Sequence, residues 1–245
     1  MRSRPKWCEV ALARLPHGQP TYAGTMPHRR STVALSCFVA VAIVGLIAEF
    51  AVWHPVSWIC RLLLMPLLVW LCWVGPIRRT RLSTLVMVAL GFSWLGDFAG
   101  FTILLKIGFF LVAQLVYIAA FRPYWRRSLL GRPPLLVGYA VALAALIGVS
   151  AVAAGPLALP VAVYGASLAL MAVLATGVSR LTGIGGLLFL LSDIVLAVEF
   201  FIAPGVIPHG AFVNMAIYLP AQLLIALGTL QAVSAGNSEA IDPVA

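Results

Sequence analysis

Charge is what this sequence has least of. Only 9% of its 245 residues are charged and 62% are hydrophobic, against about 25% and 45–50% in an ordinary soluble domain. That poverty excludes a soluble globular chain and predicts an all-α polytopic membrane protein. Acids are the scarcest, 7 Asp and Glu against 16 Lys and Arg, for a net charge of +9. The basic surplus does not indicate a nucleic-acid partner. It is not gathered on a soluble domain but lies in short stretches between apolar runs, where the positive-inside rule accounts for it. Cysteine is scarce as well: Cys8, Cys37, Cys60 and Cys72 form no C-x-x-C pair, and three of them sit in apolar segments as small hydrophobes. A disulfide framework and a thiolate metal site are therefore not expected. His17, His28, His54 and His209 are scattered without an H-E-x-x-H motif, and no G-x-S-x-G motif occurs. Neither a metal nor an organic cofactor is expected.

What the chain has is long apolar runs. A spanning helix needs about 17–25 residues, and eight segments qualify: 33–53, 56–75, 82–101, 103–121, 134–154, 157–176, 183–203 and 211–233. Pro55, Pro76, Pro133-Pro134, Gly155-Pro156 and Pro204-Gly205 punctuate the joints. Residues 1–32 read as a disordered basic tail and 234–245 as a polar C-terminal tail. Met26, just before the first run, is a candidate translation start alongside Met1. A cleavable signal peptide competes for 28–51, but the run continues to about Trp53 and no small-x-small site closes it. All basic residues except Arg61 and Lys106 fall at the ends that would face the cytoplasm with the N-terminus inside. The charges thus predict a multi-pass protein of the cell membrane with both termini cytoplasmic.

The two exceptions share the outer half of the bundle with four of the seven acids: Glu49, Asp97, Asp193 and Glu199. Asp97 closes the stretch Gly91-Phe-Ser-Trp-Leu-Gly-Asp97 inside an apolar run. An aspartate at the centre of a spanning helix costs about 2.5–3.5 kcal/mol even on lenient scales, so it is expected to face protein or a wet cavity, with a partner. Asp193 ends Leu-Leu-Ser-Asp in a second apolar run. Each aspartate precedes a helix carrying Ala-Gln-Leu, at 113–115 and 221–223, a parallel relation consistent with a 4+4 internal repeat. Lys106, Gln114 and Tyr117 fall on one face of the fourth segment, and Asn214, Tyr218 and Gln222 make an i, i+4, i+8 stripe on the eighth. Such stripes turn inward, because lipid offers no hydrogen-bond partner. Structural reading and functional reading compete here: the charges could simply lock helices as salt bridges, and Gln and Asn are common interhelical glue.

Two acids in differing environments can serve as general acid and general base. A site opening toward the outer half would admit the chain of an amphiphile while its headgroup stays at the interface. Nothing suggests a nucleophilic route, since no Ser or Cys has an evident His partner. The G-x-G-D signature of an intramembrane aspartyl protease fails, because Trp94 stands where glycine is needed. A transporter or lipid-binding protein could use the same buried charges as a substrate or proton site.

Five stretches, Arg61-Leu-Leu-Leu-Met-Pro66, Leu95-Gly96-Asp97, Ala113-Gln114-Leu-Val-Tyr117, Ser192-Asp193 and Tyr218-Leu-Pro-Ala-Gln222-Leu-Leu-Ile-Ala, occur in order across 33–233. In this they resemble the YhhN family of transmembrane lysoplasmalogenases. The resemblance implies hydrolysis of the vinyl ether bond of a lysoplasmalogen, an ether lysophospholipid, to a fatty aldehyde and a glycerophospho-ethanolamine or -choline. It implies Asp97 and Asp193 as the catalytic pair; the outer-half charges and the inward polar stripes make Arg61, Lys106, Gln114, Tyr117, Asn214, Tyr218 and Gln222 the candidate substrate-binding residues around them. Substrate and membrane lipids are the expected partners. Two departures stand out: family members commonly have Lys-Pro at Arg61-Leu62, and many have His at Gln114.

Overall fold

A computed structural model describes residues 26–75, 79–99, 102–131, 144, 148–150 and 152–241. Among them the chain is helical throughout. The long helices are α1 (Met26–Phe50), α2 (His54–Val74), α3 (Arg81–Phe98), α4 (Ile103–Phe121), α5 (Ala158–Ala175), α6 (Arg180–Ala197) and α7 (Gly210–Ile241). Six helices among the described residues are long and apolar enough to cross a membrane. α3 is not among these six, because Arg81, Ser83, Thr84, Ser93 and Asp97 dilute its hydrocarbon. Most of the fifth expected segment, 134–154, lies outside the described residues, as do residues 1–25 of the expected basic tail. α1 begins before residue 33 and α7 runs past residue 233, so helix extends into both stretches read as tails.

Local chemistry explains where the helices start and bend. Thr80 caps α3, accepting from the Ser83 amide at 3.2 Å while Ser83 Oγ accepts from the Thr80 amide at 3.1 Å. Ser179 caps α6 in the same way through the Thr182 amide. Pro66 stands inside α2, where a proline cannot bond back to the carbonyl four residues earlier, that of Leu62. That freed carbonyl accepts instead from Trp94 Nε1 at 2.9 Å. The proline thus creates the acceptor that ties α3 to α2, one residue from Arg61 and three from Asp97. At its far end α6 widens into a π-turn, Val198–Ile202, before the 203–209 loop. Glu199 holds that loop, accepting from the backbone amides of Ile207 at 2.8 Å and Gly205 at 3.1 Å.

Sequence neighbours pack as spatial neighbours, and α7 closes the bundle against α1, α2, α3 and most extensively α6. The α6–α7 approach depends on small residues. A Cβ on Gly185 would lie 2.8 Å from the Ala221 carbonyl oxygen and from the Ile225 amide, both backbone. Gly228 is likewise pressed against Thr182 and Ser179. The large apolar side chains left exposed, such as Ile43 and Ile47 on α1 and Leu187 and Leu191 on α6, face outward as a lipid-bathed surface would. One end of the bundle gathers Arg122, Arg126 and Arg127 with Arg180, because Leu129 donates to Thr176 Oγ1 at 3.0 Å and docks the 122–131 segment on the α5–α6 turn. At the opposite end Phe50 stacks on His209 at 4.7 Å. The intramembrane charges lie toward this second end.

Candidate functional site

Asp97, near the C-terminal end of α3, is 3% exposed. Tyr218 of α7 donates its hydroxyl to Asp97 Oδ2 at 3.1 Å. One turn on, the Gln222 amide donates from Nε2 to the Tyr218 hydroxyl and to Ser93 Oγ, both at 3.2 Å. Tyr117 of α4 donates to Gln222 Oε1 at 2.8 Å. Three helices therefore share one buried network, and the sequence stripe on α7 is its spine. The cost of burying these groups is offset only because each finds a partner.

Asp193 sits differently. It lies on α6 and lines a cavity of about 100 Å³ between α4, α5, α6 and the π-turn. Tyr164 of α5 donates its hydroxyl to Asp193 Oδ2. Lys106 and Asp193 are the charged residues in a wall otherwise made mostly of side chains such as Ile107, Phe110, Leu168, Phe200 and Phe201. Lys106 is within Coulombic reach of both aspartates, and the two aspartates feel one another. Phe110 stands at the partition: it lines the cavity, packs edge-on against Tyr218 at 6.0 Å and presses on Gly96, where a Cβ would lie 2.6 Å from its ring.

The remaining residues singled out in the sequence fall around this pair. Arg61 forms an ion pair with Glu49 at 3.1 Å and is also within Coulombic reach of Asp97. Asn214 donates to the Ser192 carbonyl at 2.7 Å, so it fastens α7 to the residue preceding Asp193. Gln114 is fully buried on α4. Tyr164 and Phe110 were not singled out. Tyr164 stands inside the 157–176 apolar run without an acid or amide at helical spacing to mark it. Its offset of three from Ser167 was the only local hint that this face of α5 turns inward.

Chemically, the arrangement offers two carboxyl groups, each held by one phenol, and one ammonium serving both. A carboxyl group can accept or donate depending on its protonation, and Asp193 is placed at a cavity wall. No cluster of three or more His, Cys, Asp and Glu suited to hold a metal ion occurs among the described residues.

Fold and site together define a polytopic helical membrane protein with a buried two-aspartate site. The YhhN family model matches residues 56–229, and the chain belongs to the YhhN family. Over 75 residues it is 49% identical to lysoplasmalogenase TMEM86B of Homo sapiens, a match that covers 30% of this chain and 31% of that one. No solved structure matches.

Proposed function

We propose that this protein is a membrane hydrolase that cleaves the vinyl ether bond of lysoplasmalogens, releasing a fatty aldehyde and a glycerophospho-ethanolamine or -choline. The observation that carries the reading is a carboxyl group, Asp193, at the wall of an apolar cavity with Lys106 beside it and a second buried aspartate within Coulombic reach. Family membership and the partial match to a protein named lysoplasmalogenase support it.

In this mechanism the Asp193 carboxylic acid donates its proton to the β-carbon of the vinyl ether, converting the C=C–O unit to an oxocarbenium ion. The negative field of the Asp97 network stabilises that cation. Water adds to the oxocarbenium carbon, and the proton it sheds returns to the Asp193 carboxylate. The hemiacetal then loses the glycerol oxygen as an alcohol and leaves the aldehyde. General acid–base catalysis of this kind contributes on the order of 10²–10⁴-fold. Lys106 supplies a cation for the phosphate of the headgroup. The cavity, at about 100 Å³, takes the reacting end of the lipid, and the rest of its chain runs out along the apolar helix surfaces.

The same reading has eight membrane spans, with α3 and the 134–154 segment joining the six apolar helices. At eighteen residues, α3 is about 27 Å long, close to the hydrocarbon thickness of about 30 Å. The arginine-rich end and both termini are then cytoplasmic, and the protein resides in the cell membrane.

The test is aldehyde release from alkenyl-lysophosphatidylethanolamine and its choline analogue, using purified wild type, Asp97→Asn and Asp193→Asn. Aldehyde from the wild type and none from the folded variants is the expected result. A folded wild type that releases none from either headgroup would sink the hydrolase, and solute- or proton-coupled flux in liposomes would then identify a transporter.

A further inference from the structure

Two glutamines occupy matching Ala-Gln-Leu contexts, and their surroundings are opposite. Gln222 is fully buried and saturated, its amide engaging Tyr117, Tyr218 and Ser93. Gln114 is equally buried, yet neither its Nε2 nor its Oε1 has a hydrogen-bond partner among the described residues. A buried primary amide without a well-formed hydrogen bond is costly and rare in a packed interior. The helical context is the same for both residues, so it does not explain the difference.

Position explains it better. Ile103, Lys106, Ile107 and Phe110 line the cavity from one face of α4. Gln114 continues that face one turn beyond Phe110. It lies beside the Tyr164 hydroxyl, close enough for a weak side-chain hydrogen bond but outside ordinary hydrogen-bond geometry. Polar groups that near and not directly bonded are a natural setting for a bridging water, which needs about 2–4 polar partners. Gln114 offers a donor and an acceptor, Tyr164 a hydroxyl, and Asp193 a carboxylate bonded to that same hydroxyl.

We propose that Gln114 is a positioning residue that holds the hydrolytic water at the inner end of the Asp193 cavity. The assignment rests on the hydrolase reading above. In it, Gln114 Nε2 donates to the water oxygen, and one water hydrogen points to the Tyr164–Asp193 pair. The water oxygen bonds to the oxocarbenium carbon, its proton passes to the Asp193 carboxylate, and the carbon–oxygen bond to glycerol breaks on collapse of the hemiacetal. Lys106, two turns nearer the start of α4, is left for the headgroup.

The experiment compares wild type with Gln114→Leu and Gln114→Met, measuring aldehyde release at several methanol concentrations. Methanol traps the same oxocarbenium ion as a stable mixed acetal. With the water unplaced, kcat should fall by about 10–100-fold at nearly unchanged KM, and the acetal-to-aldehyde ratio should rise several-fold. Wild-type kcat and wild-type partitioning in either folded variant would overturn the assignment. Loss of the fold in both variants would also overturn it, by making the amide structural. No aldehyde from the wild type would instead sink the hydrolase reading, and this assignment with it.

Discussion

Asp97 and Asp193 look alike in the sequence and unlike in the folded chain. Each closes a polar break in an apolar helix, and each receives one tyrosine hydroxyl on Oδ2. Around Asp97 the hydroxyl belongs to a network that spans α3, α4 and α7 and is sealed by Phe110. Around Asp193 it belongs to a wall that faces a cavity. A sealed network preorganises a field, because every dipole in it is already fixed. A carboxyl at a cavity wall can exchange a proton with something that enters. Under the proposed hydrolase reading, the contrast assigns the two acids different work: one sets an electrostatic environment and the other acts in it.

The sharpest way to break this comparison is Asp193→Asn. It should cut turnover on alkenyl-lysophospholipid by about 10²–10⁴-fold while leaving the melting temperature in detergent near that of the wild type. Equal retention of activity would place the proton elsewhere. Tyr164→Phe comes next: kcat should drop by about tenfold or more, because the hydroxyl that orients Asp193 is gone, and KM should hold. The matching change on the other side, Tyr218→Phe, should register chiefly as stability. It removes the bond to Asp97 and the acceptor for Gln222, leaving buried groups unpaired at a cost of about 1–3 kcal/mol. If thermal melting showed Tyr164→Phe and Tyr218→Phe equally destabilised, and kinetics equally slowed, the two regions would be equivalent after all.

The smallest effect concerns what holds Asp97 in place. Trp94→Phe strips the Leu62 carbonyl of its donor and should cost about 1 kcal/mol. Pro66→Ala restores a helix amide to that carbonyl. In a double-mutant cycle the two changes should therefore be less than additive. Strict additivity in thermal unfolding would detach Trp94 from the proline.

Much was fixed by the chain as a one-dimensional object. Helical class, membrane residence and the approximate spans follow from hydropathy and length, quantities that need no knowledge of neighbours. The acids announced themselves because a charge in an apolar run is costly wherever it sits. The 214, 218 and 222 stripe followed from helical period alone, and it is the face that meets Ser192, Asp97, Tyr117 and Ser93. Span counting was less secure at α3, where the same polar residues that build the site lower the hydropathy that would reveal a span.

Tertiary structure decided the rest, since partnership depends on which helix lies beside which. Arg61 read as one of six outer-half charges with no partner assigned, and it is paired with Glu49 across the α1–α2 turn. Tyr164 carried no signal in the sequence beyond its offset from Ser167, and it holds Asp193. Gln114 and Gln222 read as equivalent, and one is saturated while the other makes no well-formed hydrogen bond. Composition and period give each residue its depth and its face. Only the packing of helix against helix determines what that face meets, and hydrogen bonds, directional and short-ranged, register nothing else.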